Sequence, residues 1–271
     1  MLAFRRANMN ENIVTVLFIA DIFGKPGLTI TAQLLPGLRA KYQPDLIVAN
    51  GENGVDGKGQ NEKVAQQLFD LGIDVLTGGN HIWDNVGVYK VWQKEQRVLR
   101  PANYPPGNAG RGSLVVETKN GVPIGVVNLQ GRTYMYPIDC PFRAADEIVR
   151  HLQRRTNIIF VDFHAEASAE KMALGWYLDG RVSAVIGTHT HVPTADERVL
   201  PGGTAYLTDA GMTGPYDSVI GMKKEVAIKR FMRQIPIHFE PAEDDVRLCA
   251  VVIKIDRETG KAQQIERLFL S

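Results

Sequence analysis

The sequence has little of several things that would define a function class. Its 271 residues include only two cysteines, Cys140 and Cys249, too far apart for a CxxC pair or a disulfide framework. We interpret them as free thiols, as expected in a reducing cytoplasm. No apolar run approaches the ~20 residues of a transmembrane helix, so a membrane partner is not expected. With 31 basic and 30 acidic residues the net charge is +1, which argues against dedicated nucleic-acid binding.

What the chain has is the composition of an ordinary globular protein, with 44% hydrophobic and 23% charged residues. We expect one domain over residues 13–271, because no linker, internal repeat or low-complexity tract divides that part of the chain. Residues 1–12 lack the order of segments found in a signal peptide, and we interpret them as a flexible N-terminal extension in which Met9 is a second candidate for the start. The expected location is the cytoplasm.

Buried strands alternate with helices along most of the chain. Apolar runs typical of strands covered on both faces occur at residues 13–20, 46–49, 74–76, 157–162 and 182–187. Helices are predicted at residues 28–42, 61–71, 142–155, 167–178 and 221–233. Further strands are predicted at residues 113–118 and 123–128, around the hairpin signal Asn120-Gly121, and at 205–207, 248–255 and 265–269. This alternation indicates an α/β fold with an antiparallel component.

Polar side chains stand just after the carboxyl ends of five of the predicted strands. They are Asp21, Glu52, Asn80 with His81, His164, and His189 with His191. Because ligand sites in α/β sheets form in crevices outside the carboxyl ends of strands, we expect these side chains to meet at one edge. Carboxylate, amide and imidazole donors together suit manganese, iron or zinc, and the number of donors fits two adjacent ions.

Two cations about 3.5–4 Å apart can hold a phosphate between them, activate a water and stabilise the charge that builds up during in-line displacement. Such a reaction also needs an acid to protonate the leaving alkoxide. His81 is the candidate acid, and Asp84, three residues later, is placed to orient its ring. Arg132 could contact the substrate phosphate through its guanidinium, although it could equally bind a neighbouring loop. His151 and His238 have no comparable partners in the sequence and are not candidates for the site.

Each of these residues also has a purely structural explanation. Asp21 lies before Gly24 and could form a turn, Asn80 could cap a helix, and His164 could be a core histidine with satisfied hydrogen bonds. The His189 and His191 pair is a stronger signal, because alternate residues of an extended segment point the same way. Their joint occurrence at five strand ends favours a functional site.

In their order along the chain these motifs resemble the calcineurin-like metallophosphoesterases. The matching stretches are Asp21-Ile22-Phe23, Gly51-Glu52-Asn53-Gly54, Gly79-Asn80-His81, His164 and Gly187-Thr188-His189-Thr190-His191. Two positions depart from that pattern: Phe23 stands where a metal-binding histidine would be, and Glu52 where the bridging aspartate would be. These departures, and the stretches at residues 50–53, 79–84, 100–103, 128–132, 162–167 and 208–215, resemble the YmdB branch, which comprises bacterial cyclic-nucleotide phosphodiesterases.

The resemblance implies a two-sheet β-sandwich flanked by helices and two metal ions per chain, iron or manganese. One implied ligand set is Asp21, Glu52 and His191, with Asn53 replacing the missing histidine; the other is Glu52, Asn80, His164 and His189. Glu52 would bridge the two ions. His81 would lie outside the metal ligands, as the acid or as a phosphate contact.

Three functions compete. The first is a phosphodiesterase acting on 2′,3′- or 3′,5′-cyclic nucleotides or similar small diesters. The second is a phosphomonoesterase or a nuclease; the near-neutral charge and the few aromatic residues expected to stack bases at the site argue against a dedicated nuclease. The third is a regulatory protein whose bound metals or nucleotide signal to a partner. A TIM-barrel amidohydrolase is disfavoured because eight βα repeats are not visible. A homo-oligomer is the further expectation for the assembly of the chain.

Overall fold

The computed structural model describes residues 12–238 and 240–271, so the predicted extension lies outside the described residues except for Asn12. The strands of this part of the chain are β1 (Ile13–Ile19), β2 (Leu46–Asn50), β3 (Val75–Thr77), β4 (Ser113–Glu117), β5 (Pro123–Gln130), β6 (Ile159–His164), β7 (Ala184–Thr188), β8 (Arg198–Val199), β9 (Ala205–Leu207), β10 (Gly214–Pro215), β11 (Val246–Asp256) and β12 (Ala262–Leu270). The helices are α1 (Gly24–Tyr42), α2 (Glu62–Asp70), α3 (Val88–Lys94), α4 (Pro141–Leu152), α5 (Ser168–Leu178) and α6 (Lys224–Arg233), and a 3-10 helix covers Asn80–Trp83.

The strands form two sheets. The first contains β10, β11, β1, β2 and β3 in that order, and β12 also pairs with β11. Within it β1, β2 and β3 are parallel, whereas β11 runs antiparallel to β1 and to β12. The second sheet has the order β4, β5, β6, β7, β9, β8, with parallel pairs from β5 to β9 and antiparallel strands at both edges. The parallel strands of both sheets deliver the loops that carry the predicted site.

Alternate residues of the central strands pack on opposite faces. In β1, Phe18 belongs to the core between the sheets, where its ring lies 5.1 Å from that of Phe160 on β6. Leu17, next to it in sequence, belongs instead to the cluster formed with α1 and α2. A third cluster, which includes Val149 of α4 and Leu174 of α5, covers the outer face of the second sheet. The predicted α/β class and the two-sheet sandwich flanked by helices are therefore confirmed.

Some elements differ from the prediction. Helix α1 begins at Gly24 rather than at residue 28, because Pro26 in its first turn needs no hydrogen-bonded N–H there. Strand β6 extends to His164, which is its last residue. Helix α3 was not predicted, since seven residues are too few to show a helical period. Strands β8 and β10 contain two residues each and leave no pattern in the sequence.

Within the described part of the chain, no helix combines the length and apolar character needed to cross a bilayer. Cys140 is half-buried and Cys249 is buried, and both are free, in agreement with the interpretation of two separate thiols. The cytoplasmic location and the homo-oligomer stay predictions.

Candidate metal centre

Four of the predicted ligands converge on one point between the two sheets. Atom Nε2 of His164 lies 2.9 Å from Oε1 of Glu52, 3.0 Å from Oδ1 of Asn80 and 3.0 Å from Nδ1 of His189. The ligand atoms of Glu52, His164 and His189 all lie within 4.8 Å of one another. Two of the four residues follow strands of the first sheet and two belong to β6 and the loop after β7 of the second.

Asp21, Asn53 and His191 form a second group beside the first. Atom Nε2 of His191 lies 3.9 Å from Oδ2 of Asp21 and 3.2 Å from Nδ2 of Asn53. The same Nδ2 atom donates a hydrogen bond of 3.3 Å to Oε1 of Glu52. Glu52 therefore contacts a member of each group through one oxygen atom.

Two buried oxygen atoms of the second group, Oδ1 of Asp21 and Oδ1 of Asn53, have no hydrogen-bond partner among the described residues. A buried polar atom without a partner costs free energy that a native fold normally avoids. A cation would satisfy both oxygens, and a half-turn of the Asn53 amide would exchange its Nδ2 and Oδ1 positions. The donor set of carboxylate, amide and imidazole groups also suits manganese, iron or zinc. The residues present therefore fit metal ions.

The absence of a side chain at Gly79 allows His164 and Glu52 to approach each other closely. A Cβ atom at this position would lie 2.2 Å from Cδ2 of His164 and 2.4 Å from Oε2 of Glu52, far inside van der Waals contact. Neither neighbour can move away, because both side chains are fully buried.

We therefore expect Gly79→Ala to lower kcat/KM about 100-fold for any substrate, because displacing ligands by about 1 Å removes the alignment of the centre. Gly37→Ala is the matched control: a Cβ atom there meets nothing within 4 Å, and the residue is exposed on α1. This control should keep full activity and gain about 0.5–1 kcal/mol of stability. Steady-state kinetics and thermal unfolding measure both effects, and a fully active Gly79→Ala variant would contradict the geometry.

The charges within the centre are strongly coupled. Burial raises the pKa of Asp21 well above its usual range, although His164 attracts its charged form. Burial acts to raise the pKa of Glu52, but attraction by His164 and a hydrogen bond with it, together with attraction by His81 and His189, outweigh burial, and the pKa falls to about 2. Burial acts to lower the pKa of His164, but attraction by Glu52 and a hydrogen bond with it, together with attraction by Asp21 and Asp162, outweigh burial and raise the pKa to about 9. Burial, followed by repulsion from His164, lowers the pKa of His189 to about 2. The carboxylate of Glu52 thus favours positive charge beside it, as a bound cation would supply.

Buried polar residues hold His164 in place. Its Nδ1 atom lies 3.0 Å from Oγ1 of Thr188, which donates a hydrogen bond of 2.7 Å to Asp162. Asp162 also accepts hydrogen bonds from Thr77 and from Asn50, at 2.5 and 3.0 Å. Burial raises the pKa of Asp162 to about 6 in spite of these bonds. Partners of this kind fix the ring orientation of a metal-binding histidine. Sequence reasoning assigned no role to Asp162, although a carboxylate inside an apolar strand is a signal that could have indicated one.

The two histidines after β7 reach the centre from a turn, so the expected extended segment is wrong. Strand β7 ends at Thr188, and His189 and His191 have φ values of 104° and 65°, in the left-handed region. Residues other than glycine rarely adopt such values, and they persist at functional sites where surrounding contacts enforce them. The main-chain N–H of His189 donates a hydrogen bond of 2.9 Å to Oδ2 of Asp21.

A buried ion pair supports the same turn. The carboxylate of Asp209 accepts hydrogen bonds from the N–H and the hydroxyl of Thr190, which separates the two histidines, at 3.1 and 2.8 Å. The Nζ atom of Lys171 lies 2.6 Å from the same carboxylate, and both side chains are buried. Sequence reasoning assigned no role to either residue, because their contact joins a helix to a distant loop.

Phe23 occupies the space beside His191. Its ring is buried and meets the imidazole edge-on, with centroids 5.8 Å apart. A Cβ atom at Gly221 would lie 2.7 Å from the Phe23 ring, so this glycine leaves room for the phenyl group. Atom Nδ1 of His191 lies 3.0 Å from the carbonyl oxygen of Ile220, which directs Nε2 to the centre. Phe23 thus packs against a ligand candidate and offers no ligand atom itself.

His81 lies at the mouth of the centre. Its main-chain N–H donates a hydrogen bond of 3.1 Å to Oε2 of Glu52, and its side chain is about one-third exposed, at 33%. Nδ1 of its ring lies 2.8 Å from Oδ2 of Asp84. Because Nδ1 is occupied by this contact, Nε2 is the ring atom that can exchange a proton with a substrate.

Arg132 lines a different cavity from Asn80 and His189. Its main-chain N–H donates to Glu170 at 3.2 Å, and its side chain lines a cavity of about 640 Å³ together with Arg100 and Arg143. The residues that line this cavity include none of the predicted metal ligands. His151 and His238, which are not candidates for the site, are both exposed.

The structure adds residues that the sequence did not indicate. Oε2 of Glu166 lies 3.1 Å from Nε2 of His189, on the side of the ring that faces away from His164. Tyr134 and Tyr136 line a cavity of about 340 Å³ that also includes Asn80 and His189. The expectation of few aromatic residues at the site is therefore wrong, because a loop distant in sequence from the ligands brings two of them there.

Comparison with known proteins places this architecture in a family. The family model described as YmdB-like protein matches residues 17–268, nearly the whole chain. The chain belongs to the YmdB-like family. A relative in Bacillus subtilis (strain 168), a 2′,3′-cyclic-nucleotide 2′-phosphodiesterase, is 49% identical over 256 residues, which cover 94% of this chain and 97% of that protein.

Two solved structures are similar to this chain over nearly its whole length. A hypothetical protein from Thermus thermophilus has a TM-score of 0.88 and 42% identity, covering 94% of this chain and 98% of its own. A protein from Mycoplasma pneumoniae described as a novel phosphatase has a TM-score of 0.90 and 36% identity, covering 96% and 94%. The resemblance to the YmdB branch is confirmed, and this YmdB-like chain is a phosphoric ester hydrolase with the metallophosphoesterase fold.

Proposed function

We propose that this YmdB-like chain is a dinuclear metal-dependent phosphodiesterase that hydrolyses cyclic nucleotides or similar small phosphodiesters. The observation that carries the proposal is the pair of adjacent ligand groups joined by Glu52, whose Oε1 atom contacts both His164 and Asn53. Similarity to the Bacillus subtilis 2′,3′-cyclic-nucleotide 2′-phosphodiesterase makes 2′,3′-cyclic nucleotides the first substrates to test.

The proposed ions are iron or manganese, which accept this mixture of oxygen and nitrogen donors. The first ligand set is Glu52, Asn80, His164 and His189, and the second is Asp21, Glu52, Asn53 and His191. When bound, two such ions supply positive charge for the phosphoryl oxygens and lower the pKa of the attacking water. Glu52 belongs to both sets, Thr188 and Asp162 orient His164, and Glu166 orients His189.

His81 is the proposed general acid. Asp84 holds its ring through Nδ1, so that Nε2 can protonate the oxygen that leaves phosphorus. Its position at the mouth of the centre, bonded to Glu52 only through the main chain, leaves the imidazole outside both ligand sets. Arg132 is proposed to contact the substrate phosphate from its exposed loop, where a guanidinium can form two parallel hydrogen bonds with phosphate oxygens.

The alternatives are a phosphomonoesterase, a nuclease and a regulatory protein with incidental hydrolysis. The test is a substrate panel on protein purified without chelators. We expect kcat/KM for 2′,3′-cyclic AMP to exceed the values for AMP and for a short oligoribonucleotide by at least about tenfold. Hydrolysis of the monophosphate alone would contradict the proposal. A cell in which Glu52→Gln abolishes hydrolysis but changes no phenotype would instead favour the regulatory function.

A further inference from the structure

A cavity of about 340 Å³ opens beside the candidate metal centre. Asn80 and His189 line its inner side, and residues 134–137 line the rest. This volume lies in the range of small-molecule sites. A substrate whose phosphate lies against Asn80 and His189 therefore extends its remaining atoms toward the loop of residues 131–137, here called the tyrosine loop.

The rings that this loop presents are unusually exposed. Tyr134 is 89% exposed and Tyr136 is 70% exposed. Rings so exposed contribute little to the packed core, and Tyr134 has a φ of 62°, which is unfavourable for any residue with a side chain. The backbone is therefore strained at a tyrosine whose ring is exposed, and such strain is common at ligand sites.

Main-chain hydrogen bonds tie the tyrosine loop to the metal centre. The N–H of Gly131 donates to the carbonyl oxygen of His164 at 2.9 Å. The N–H groups of Arg132 and Thr133 donate to the carboxylate of Glu170, at 3.2 and 3.1 Å. Since His164 is itself a proposed ligand, the start of the loop has a fixed position relative to the proposed ligands, while its tyrosine rings face solvent.

We propose that Tyr134 and Tyr136 stack against the base of the substrate, so that the enzyme selects phosphodiesters that carry a nucleobase. The inference rests on the proposed function and narrows its substrate class. Every base has a π-face, so stacking on an aromatic ring tolerates all four bases and discriminates against diesters without a flat ring. The enzyme therefore favours substrates that carry a base but does not discriminate among the four bases.

The test compares two cyclic phosphates, 2′,3′-cyclic AMP and the base-free methyl riboside 2′,3′-cyclic phosphate. For the cyclic nucleotide, Tyr134→Ala and Tyr136→Ala should each raise KM about tenfold, the loss expected for one stacking ring, with little change in kcat. Phenylalanine at either position should restore KM, because the ring is kept. KM for the base-free substrate should not change. Alanine is preferred to glycine as the replacement at residue 134, because alanine keeps the restriction that a side chain imposes on the backbone there.

Binding gives a second readout. In calorimetry, the Kd of a nucleoside 3′-monophosphate should rise by the same factor as KM in the alanine variants, whereas the Kd of ribose 3-phosphate should not move. Phe231→Ala is the control, since Phe231 is also 70% exposed but lies on α6.

The outcomes separate this inference from the proposed function. A wild-type enzyme that hydrolyses neither cyclic phosphate overturns both. A wild-type enzyme that hydrolyses both substrates with equal KM, or alanine variants that alter both substrates alike, overturns only the role of the tyrosines. If the wild-type chain is an oligomer, alanine variants that have unchanged KM and are monomeric would overturn the role of the tyrosines and assign the rings to contacts between copies of this chain.

Discussion

Replacing Glu52 with Gln is expected to lower kcat/KM for a cyclic nucleotide by more than about 1,000-fold. Glutamine keeps the shape of the side chain but removes the negative charge that two cations would share. Its amide can also turn an NH₂ group toward His164, whose Nε2 lies 2.9 Å from the present Oε1. The loss should exceed that of any other ligand, because Glu52 is the residue that belongs to both proposed ligand sets and its Oε1 atom contacts both His164 and Asn53. Elemental analysis beside steady-state kinetics should show that bound metal falls together with activity.

Glu62→Gln is the matched control for this prediction. It removes the same charge from an exposed carboxylate on α2 that pairs with Lys94 at 2.7 Å. An exposed ion pair contributes little, so this variant should keep its metal and its activity. A Glu52→Gln variant that binds the full amount of metal and hydrolyses cyclic nucleotides at the wild-type rate would show that Glu52 does not bridge.

Replacing His81 with Ala is expected to lower kcat by about 10²–10⁴-fold for 2′,3′-cyclic AMP, whose leaving group is an alkoxide that must be protonated. When the substrate is a diester that releases p-nitrophenolate, the leaving group departs without a proton. The kcat for that diester should therefore fall about tenfold or less. Bound metal should not change, because the imidazole contacts Asp84 and none of the proposed ligands. The measurement is kcat for both substrates together with metal content.

His151→Ala controls for the removal of an imidazole, since His151 is exposed on α4. It should change neither substrate's kinetics. Equal losses of kcat on both substrates for His81→Ala would remove His81 from proton transfer. Loss of metal in that variant would make the residue a ligand instead.

The sheet architecture and the convergence of the candidate ligands were predictable from sequence for a common physical reason. Strands buried on both faces are continuous β-branched and aliphatic runs, such as residues 13–19, so their ends can be located. Parallel strands end at the same edge, which is why polar residues after β1, β2 and β3 come together. The pattern therefore predicted that Glu52, Asn80 and His164 would approach one another, although His164 proved to be the last residue of its strand.

Contacts that depend on loop conformation were not predictable. His189 and His191 adopt positive φ values that nothing in the sequence Thr-His-Thr-His requires. The Asp209 carboxylate that holds the intervening Thr190 lies 19 residues further along the chain. Gly79 stands in a motif, but the need for glycine there becomes visible only when His164 and Glu52 are in position.

The position of the tyrosine loop beside the centre was also not predictable from the sequence. Tyr134 and Tyr136 follow β5, more than forty residues after Asn80 and more than fifty before His189, with which they share a cavity. Composition counts such aromatic residues but does not place them. Only the packing of the two sheets, which joins the loop after β5 to the loops after β3 and β7, brings the tyrosines to the centre.

The central claim, that the centre holds two ions joined by Glu52, is tested most directly by anomalous diffraction from crystals supplied with manganese. We predict two anomalous peaks per chain, about 3.5–4 Å apart. One peak should lie among Asn80, His164 and His189, the other beside Asp21 and His191, and both next to Glu52. A single peak, or peaks that Glu52 does not join, would contradict the dinuclear centre.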